Sequence, residues 1–246
     1  MESSEINKLY HGLRFSAIPF DGNPKTKNFL ESSYQLWRQN WTEAYRELNQ
    51  FKATETAYSD NFCRQGLILS LDLYGKCIAT ACMRFLDMNY LFSRDDSYLS
   101  VWDRDSIAGF GDTERIVVAS GFTLDKGYRL KVYDLPSIYL FHTFVVKIFK
   151  DLGHPKMISI VRNDVGLHKL VAKYGTTSMK EDVPYANTFA NLVVYESEKV
   201  ITYPLSKYKD VFSRLISSDV NTIAIPNSMK KQTKGEISYE LSEAVL

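Results

Sequence analysis

The sequence predicts an α/β protein built on a mixed central sheet flanked by helices. Three observations carry this. Two β-leaning runs joined by a tight turn occupy residues 67–87; an aromatic-striped helix signal at 29–50 precedes them; and strand and helix signals alternate from residue 112 to residue 197. Antiparallel strands followed by alternating β and α segments define that class. The 246-residue chain is 45% hydrophobic, enough to bury a sizeable core without cross-links.

Residues 1–28 read as an irregular N-terminal segment with a turn at Asp21-Gly22-Asn23-Pro24. In 29–50, Phe29, Tyr34, Trp37, Trp41, Tyr45 and Leu48 recur at three- and four-residue steps, one face of an amphipathic helix. That stripe reads as core before it reads as a ligand platform. "LILSLDLYGKCIATACMRFLD" reads as a hairpin turning at Leu73-Tyr74-Gly75-Lys76. A long polar connection, 88–111, holds Trp102, and such loops are often functional. Residues 112–124 read as the next strand, and 125–136 as a loop ending in Pro136. A core helix at 137–152 stops at Gly153, 156–162 is a short buried strand, 163–175 is a helix capped by Asn163 or Asp164 and closed by Gly175, and 190–197 is a strand. The domain reading is 29–205, followed by a C-terminal extension, 206–246, of unassigned role.

Composition excludes several function classes. A net charge of +1 with interspersed signs points away from nucleic acid and anionic membranes. No apolar run reaches the roughly 18 residues that span a bilayer, and "MESSEINKLYHG" lacks signal-peptide character. Cys63, Cys77 and Cys82 are odd in number and lack metal-ligand spacing, which argues against a disulfide framework or zinc site and for a reducing, cytoplasmic setting. His11, His142, His154 and His168 have no nucleophile beside them, so a Ser-His or Cys-His hydrolase has no support.

The stretch "GDTERIVV" places Asp112, Glu114 and Arg115 at the mouth of an apolar strand. Solvated acids at a strand edge and a general base are both open readings. Asp112 and Glu114 alternate faces in a strand, so one of them at most looks into any site. Arg84, beside an apolar hairpin, needs a carboxylate partner, with Glu55, Asp60 and Asp112 as candidates.

This order of elements, with "MISIVRNDVGLHKLVAKYGTT", resembles the Gcn5-related N-acetyltransferase (GNAT) superfamily over roughly residues 29–197. Lys173-Tyr174-Gly175-Thr176 stands in place of its closing Lys-x-Gly-Phe. Three shorter matches resemble the branch of acyl-homoserine-lactone synthases and N-acyl amino acid synthases. "MRFLD" is similar to its Arg-Leu-x-Pro, "DTERIVV" to its Glu-x-x-Arg-Phe, and "ETAYSD" to its Glu-x-Asp-x-x-Asp. Ala57 replaces the middle acid of that last motif, Asp112 stands for its Glu, the superfamily's glycine-rich phosphate loop is absent, and Val171 fills the position where many members carry a general-acid Tyr.

The resemblance implies a three-layer fold whose central strand splays from its neighbour. It implies backbone contacts from Val117, Val118, Ala119 and Gly121 to an acyl donor's pantetheine, with charge from Lys126, Arg129 and Lys131 near its phosphate. It implies Asp112 or Glu114 as base, Arg115 as its organiser, and an acceptor pocket from Arg38, Glu55, Asp60 and Arg84. The co-substrate would be acyl-CoA or acyl-carrier protein, with no permanently bound cofactor and no metal; the acceptor would be a small amine. Phe141, Phe144 and Phe149 either line an acyl tunnel or pack as core. Long-chain N-acyl transfer, acetyl transfer and a catalytically inactive binding domain are the three functional readings.

Overall fold

The structure is a computed structural model; it describes residues 12–108, 110, 115–129, 131–132, 135–219 and 221–231. The strands of its main sheet are β1 (Leu13–Pro19), β2 (Leu67–Leu73), β3 (Lys76–Asp87), β4 (Arg115–Leu124), β5 (Lys156–Arg162), β6 (Thr177–Tyr185), β7 (Thr188–Glu196) and β8 (Thr222–Ile223); Lys131–Val132 and Leu135–Pro136 pair as a separate short ribbon. The main helices are α1 (Lys27–Glu47), α2 (Ser137–Leu152), α3 (Leu167–Ala172) and α4 (Lys209–Ile216). Strands β1 to β8 form one eight-stranded mixed sheet in the order β8-β1-β2-β3-β4-β5-β7-β6.

The β2–β3 hairpin turns on Tyr74 and Gly75, both at positive φ, as a two-residue connection requires. α2 matches its expected span and ends on Gly153 at φ 72°. It is buried nearly all round. Phe141, Phe144 and Phe149 are fully inside, and Phe15 of β1 meets Phe144 at a ring-centroid distance of 4.6 Å. These phenylalanines are therefore core, and none of them lines the cavities described below.

Both chain ends depart from the sequence expectation. Within the expected irregular segment 1–28, residues 13–19 form β1 in the sheet interior, paired with β2 along its whole length. The C-terminal residues cover the other flank of α2 through Phe212, Leu215 and Ile216, and β8 then runs parallel to β1. The Asn221 side chain fastens this piece: its amide donates to the Leu215 and Ile216 carbonyls, and its oxygen accepts from the Phe15 N–H. Burial of α2 on two sides explains why its sequence is apolar beyond one helical stripe.

Two further corrections have local causes. The helix expected over 163–175 is confined to α3, because Gly166 enters it in the left-handed region. Asn163 is spent on Asp182 and Asn191, and Asp164 on Arg162, so neither caps it. β6 has no hydrophobic alternation: its residues are largely exposed, it sits at the sheet edge, and it carries Pro184.

The described part of the 88–111 connection, 88–108 and 110, is packed. Leu99, Trp102 and Phe110 cover Leu86, Ile116, Val118 and Ile158 on the sheet face opposite α2. α1 lies on that same side through Trp37, with Phe62, Ile68 and Cys82 beneath it. Three layers result: α2, α3 and α4 on one face, the sheet, then α1 and the 88–111 connection.

Candidate active site

β4 and β5 run parallel but are paired only at Val117–Met157 and Val118–Ile158. Beyond that point β4 keeps its antiparallel partner β3 on one side and has no strand on the other. The cause is local. The β3–β4 register slips between Thr80 and Cys82, so that two residues of β4 face one of β3, and Gly121 sits in this bulge at φ +64°. A Cβ at that position would meet the Trp37 indole nitrogen at 3.1 Å and the Cys82 sulfur at 3.3 Å. Only glycine takes both the left-handed backbone and the close approach.

The split opens into a cleft of about 410 Å³. Ala119, Phe122, Thr123 and Leu124 of β4 line one wall; Ser159, Ile160 and Val161 of β5 line the other; Ile138, Val145, Leu167 and Val171 close it from α2 and α3. The lining is mostly apolar, and Asn40, Thr123, Arg129, His142, Ser159 and Arg162 are among its polar members. Val171 and Leu167 therefore serve as wall, whereas Tyr174 is buried and shares hydrogen bonds with Thr143 and the Tyr139 carbonyl.

A second chamber of about 170 Å³ shares Trp41, Tyr98, Ser120, Gly121, Ile160 and Tyr185 with the cleft. It is polar: Asn61, Arg64, Gln65, Arg84, Ser97 and Ser100 line it beside the aromatic edge of α1. Arg84 is 8% exposed, and its Nη2 donates to Asp96 Oδ1 at 2.5 Å. Burial presses the guanidinium pKa down while Asp96 holds it up. Asp96, from the 88–111 connection, thus pairs with Arg84 where Glu55 and Asp60 were expected; Asp112, the third candidate, lies outside the described residues. Among the described residues, buried Arg84 Nε and Gln65 Oε1 have no hydrogen-bond partner, two polar atoms of opposite character at one small chamber.

Tyr98 stands where cleft and chamber meet. Its hydroxyl donates to the Ala119 carbonyl at 3.1 Å and accepts from the Ile160 N–H at 2.8 Å. Burial raises its pKa well above the usual tyrosine range, so it stays protonated. His142 also lines the cleft; burial lowers its pKa to about 3, and Tyr195 lies 3.2 Å from its Nε2.

The sequence-nominated residues divide clearly. Ala119 and Gly121 border the split, and Arg129 lines the cleft. Val117 and Val118 are fully buried at its closed end. Lys126 is engaged by Glu43 at 2.6 Å and Glu47 at 3.6 Å. Arg84 lines the chamber, but Arg38, Glu55 and Asp60 do not. Arg38 donates to Thr56 Oγ1 and the Ala57 carbonyl and so ties the segment after α1 to that helix, while the Glu55 carboxylate closes a local turn by accepting from the Lys52 N–H. Asp60 opens the short helix Asp60–Cys63, whose neighbours Asn61, Arg64 and Gln65 reach the chamber in its stead. Arg115 lies at the paired end of β4, with Nη1 3.5 Å from the Ser228 carbonyl. Asp112 and Glu114 lie outside the described residues, and the Lys131 side chain does as well. Sequence reasoning missed Gln65, Asp96, Tyr98 and Tyr185; the length of the 88–111 connection was the only signal for two of them.

No family model and no curated protein matches the chain. Solved structures do. BjaI, a CoA-dependent acyl-homoserine lactone synthase solved with SAM and isopentyl-CoA, aligns at TM-score 0.60 and 11% identity over 89% of this chain and 97% of that one. The acyl-homoserine lactone synthase LasI aligns at TM-score 0.52 and 10% identity, covering 79% and 94%. FeeM, an N-acyl amino acid synthase from uncultured soil microbes, aligns at 0.51 and 10%, covering 76% and 92%. The chain has the GNAT-like fold of these synthases. No helix among the described residues is long and apolar enough to cross a membrane.

Proposed function

We propose that this protein is an N-acyltransferase that moves an acyl group from a thioester, acyl-CoA or acyl-carrier protein, to the amine of an amino acid or related small molecule. The observation that carries this reading is the junction of an apolar cleft with a polar chamber at the β4–β5 split. A thioester donor is long, narrow and largely apolar. A split between parallel strands offers such a molecule both walls and strand edges, and holds its carbonyl at a fixed point.

In this reading the acceptor enters the chamber. Arg84 Nε is a free, buried donor suited to the acceptor's carboxylate or another acidic group, and Gln65 Oε1 is an acceptor suited to an N–H or O–H. The amine nitrogen attacks the thioester carbonyl, the C–S bond breaks, and the thiol leaves with a proton. The proton lost by the amine goes to a base, a role we assign to Asp112 or Glu114 on the resemblance alone. His142 is unsuited to it, because a group with a pKa near 3 takes a proton poorly at neutral pH. Arg129 at the cleft, with Lys131 nearby in sequence, would meet the donor's phosphate or an acidic carrier protein, whereas Lys126 is held by Glu43 and Glu47, and the setting would be cytoplasmic.

The test is mass spectrometry of lipid extracts from bacteria making this protein, against a D112A/R84A variant of equal soluble yield. N-acyl amino acids or acyl lactones formed only with the unaltered chain are expected, and their masses identify acyl chain and acceptor together. Identical extracts, with no acetyl-CoA binding by calorimetry, would leave the inactive binding domain in place of the enzyme.

A further inference from the structure

Where the strand ladder stops, a side chain replaces it. After Val118–Ile158 the next link between β4 and β5 is the Tyr98 hydroxyl, bonded to Ala119 on one strand and Ile160 on the other. One oxygen inserted between a carbonyl and an N–H holds the strands farther apart than a direct ladder bond of about 2.9 Å. The phenol arrives from the 88–111 connection, and its anchorage is firm. Leu99 next to it is buried in the satellite core, Asp96 accepts from the Tyr98 N–H at 2.8 Å, and the Arg84 guanidinium lies 5.4 Å from its ring. The same Asp96 oxygen binds Arg84, so chamber and hydroxyl are positioned by one carboxylate.

We propose that the Tyr98 hydroxyl is a wedge that sets the opening of the β4–β5 split, and with it the fit of the acyl-thioester arm. This rests on the acyltransferase reading above. Tyr98 is a positioning residue: its proton is held by Ala119, and it forms no bond to the reacting atoms. Gly121 lets β4 bend away, and Tyr98 fixes how far. Without the hydroxyl, the Ala119 carbonyl and Ile160 N–H lose their shared partner. The strands then close toward each other, or water enters; either way the cleft loses its fixed width.

The experiment compares the unaltered full-length chain with Tyr98→Phe, using octyl-CoA thioether, which binds as a donor but cannot transfer its chain. Calorimetry on the variant is expected to show at least tenfold weaker thioether binding, while the acceptor KM stays within twofold. Hydrogen exchange at the Ile160 amide should accelerate. A general loss of structure would move donor and acceptor parameters together. Equal thioether affinity in the two proteins overturns the wedge and leaves the acyltransferase reading standing. No binding by the unaltered chain of either octyl-CoA thioether or the same octyl thioether carried on acyl-carrier protein overturns both. Should Tyr98→Phe fail to fold, the Ile160 amide of the unaltered chain supplies the answer: its nitrogen resonance is expected to shift on thioether addition, and an unmoved resonance overturns the wedge.

Discussion

β4 contains two different environments within ten residues. In its first half Ile116, Val117 and Val118 are fully buried, hydrogen-bonded to β3 and joined to β5. In its second half Ala119 to Phe122 keep β3 but lose β5, become partly accessible, and form a cavity wall. The side chains shrink across the boundary, from Ile116-Val117-Val118 to Ala119-Ser120-Gly121. The backbone changes as well: one left-handed glycine and one inserted hydroxyl convert a core strand into a binding edge. Stability is thus concentrated in the first half, and ligand-binding capacity in the second.

Gly121→Val tests that division most severely. A β-branched residue at φ +64°, with its Cβ 3.1 Å from Trp37 Nε1, carries both backbone strain and overpacking. The expected cost is about 4 kcal/mol in chemical denaturation, with thioether binding reduced beyond detection. Val118→Ala in the paired half should cost about 2 kcal/mol of stability while thioether affinity stays within about threefold of the unaltered chain. If Val118→Ala weakens binding more than Gly121→Val does, the two halves are not functionally distinct.

Arg84→Met probes the chamber side. It keeps the apolar stem and removes the charge, leaving Asp96 half-buried without its main partner. Breaking a pair with side chains 10% and 15% exposed should cost about 3 kcal/mol. The acceptor KM should rise at least tenfold, with octyl-CoA thioether affinity unchanged. A weakened thioether instead would place Arg84 on the donor.

His142 sharpens the comparison from inside the cleft. Its folded pKa, about 3, lies below the ordinary histidine value of 6.5. The unfolded chain therefore binds the proton more tightly. The contribution is intact above pH 6.5 and is lost as pH falls from 6.5 toward 3. Between pH 7 and pH 5 it amounts to about 2 kcal/mol. Urea denaturation at the two pH values measures it, and His142→Phe should flatten that part of the profile. An equal slope in the variant would assign the acid sensitivity elsewhere, His154 being the other histidine whose pKa burial lowers.

The sequence made the paired half of the molecule legible and much of the split half illegible, for physical reasons. α2, β5 and the β2–β3 hairpin follow hydrophobic period, glycine stops and turn chemistry, all local signals. β1 was missed because its partner β2 lies some fifty residues further along the chain, and β8 because its two residues pair with β1 across some two hundred. β6 was missed because an exposed edge strand has no buried face to write into its sequence. At the site, Arg84 was legible as a charge in a hairpin, and Gly121 only through the resemblance, as a backbone contact. Tyr98 and Asp96 were not. A tyrosine and an aspartate in a polar loop become a wedge and a counter-ion only once Leu99 and Trp102 pin that loop to the sheet.

The smallest expected effect separates two cations that the sequence treats alike. Lys126 and Arg129 lie on one loop and both suit a donor phosphate. Glu43 and Glu47 occupy Lys126, whose pKa they raise, whereas Arg129 lines the cleft itself. A cation already neutralised by two carboxylates has little field left for a ligand, and an exposed pair of this kind adds little to stability. Lys126→Ala should leave the melting temperature and the CoA affinity unchanged within error. Arg129→Ala should weaken CoA about three- to tenfold, by the loss of roughly 1 kcal/mol of charge-assisted hydrogen bonding, and the difference should vanish at high salt. Equal losses for the two variants would mean that the donor's phosphate draws Lys126 away from Glu43 on binding, and would extend the donor site from the split half of β4 onto the end of α1.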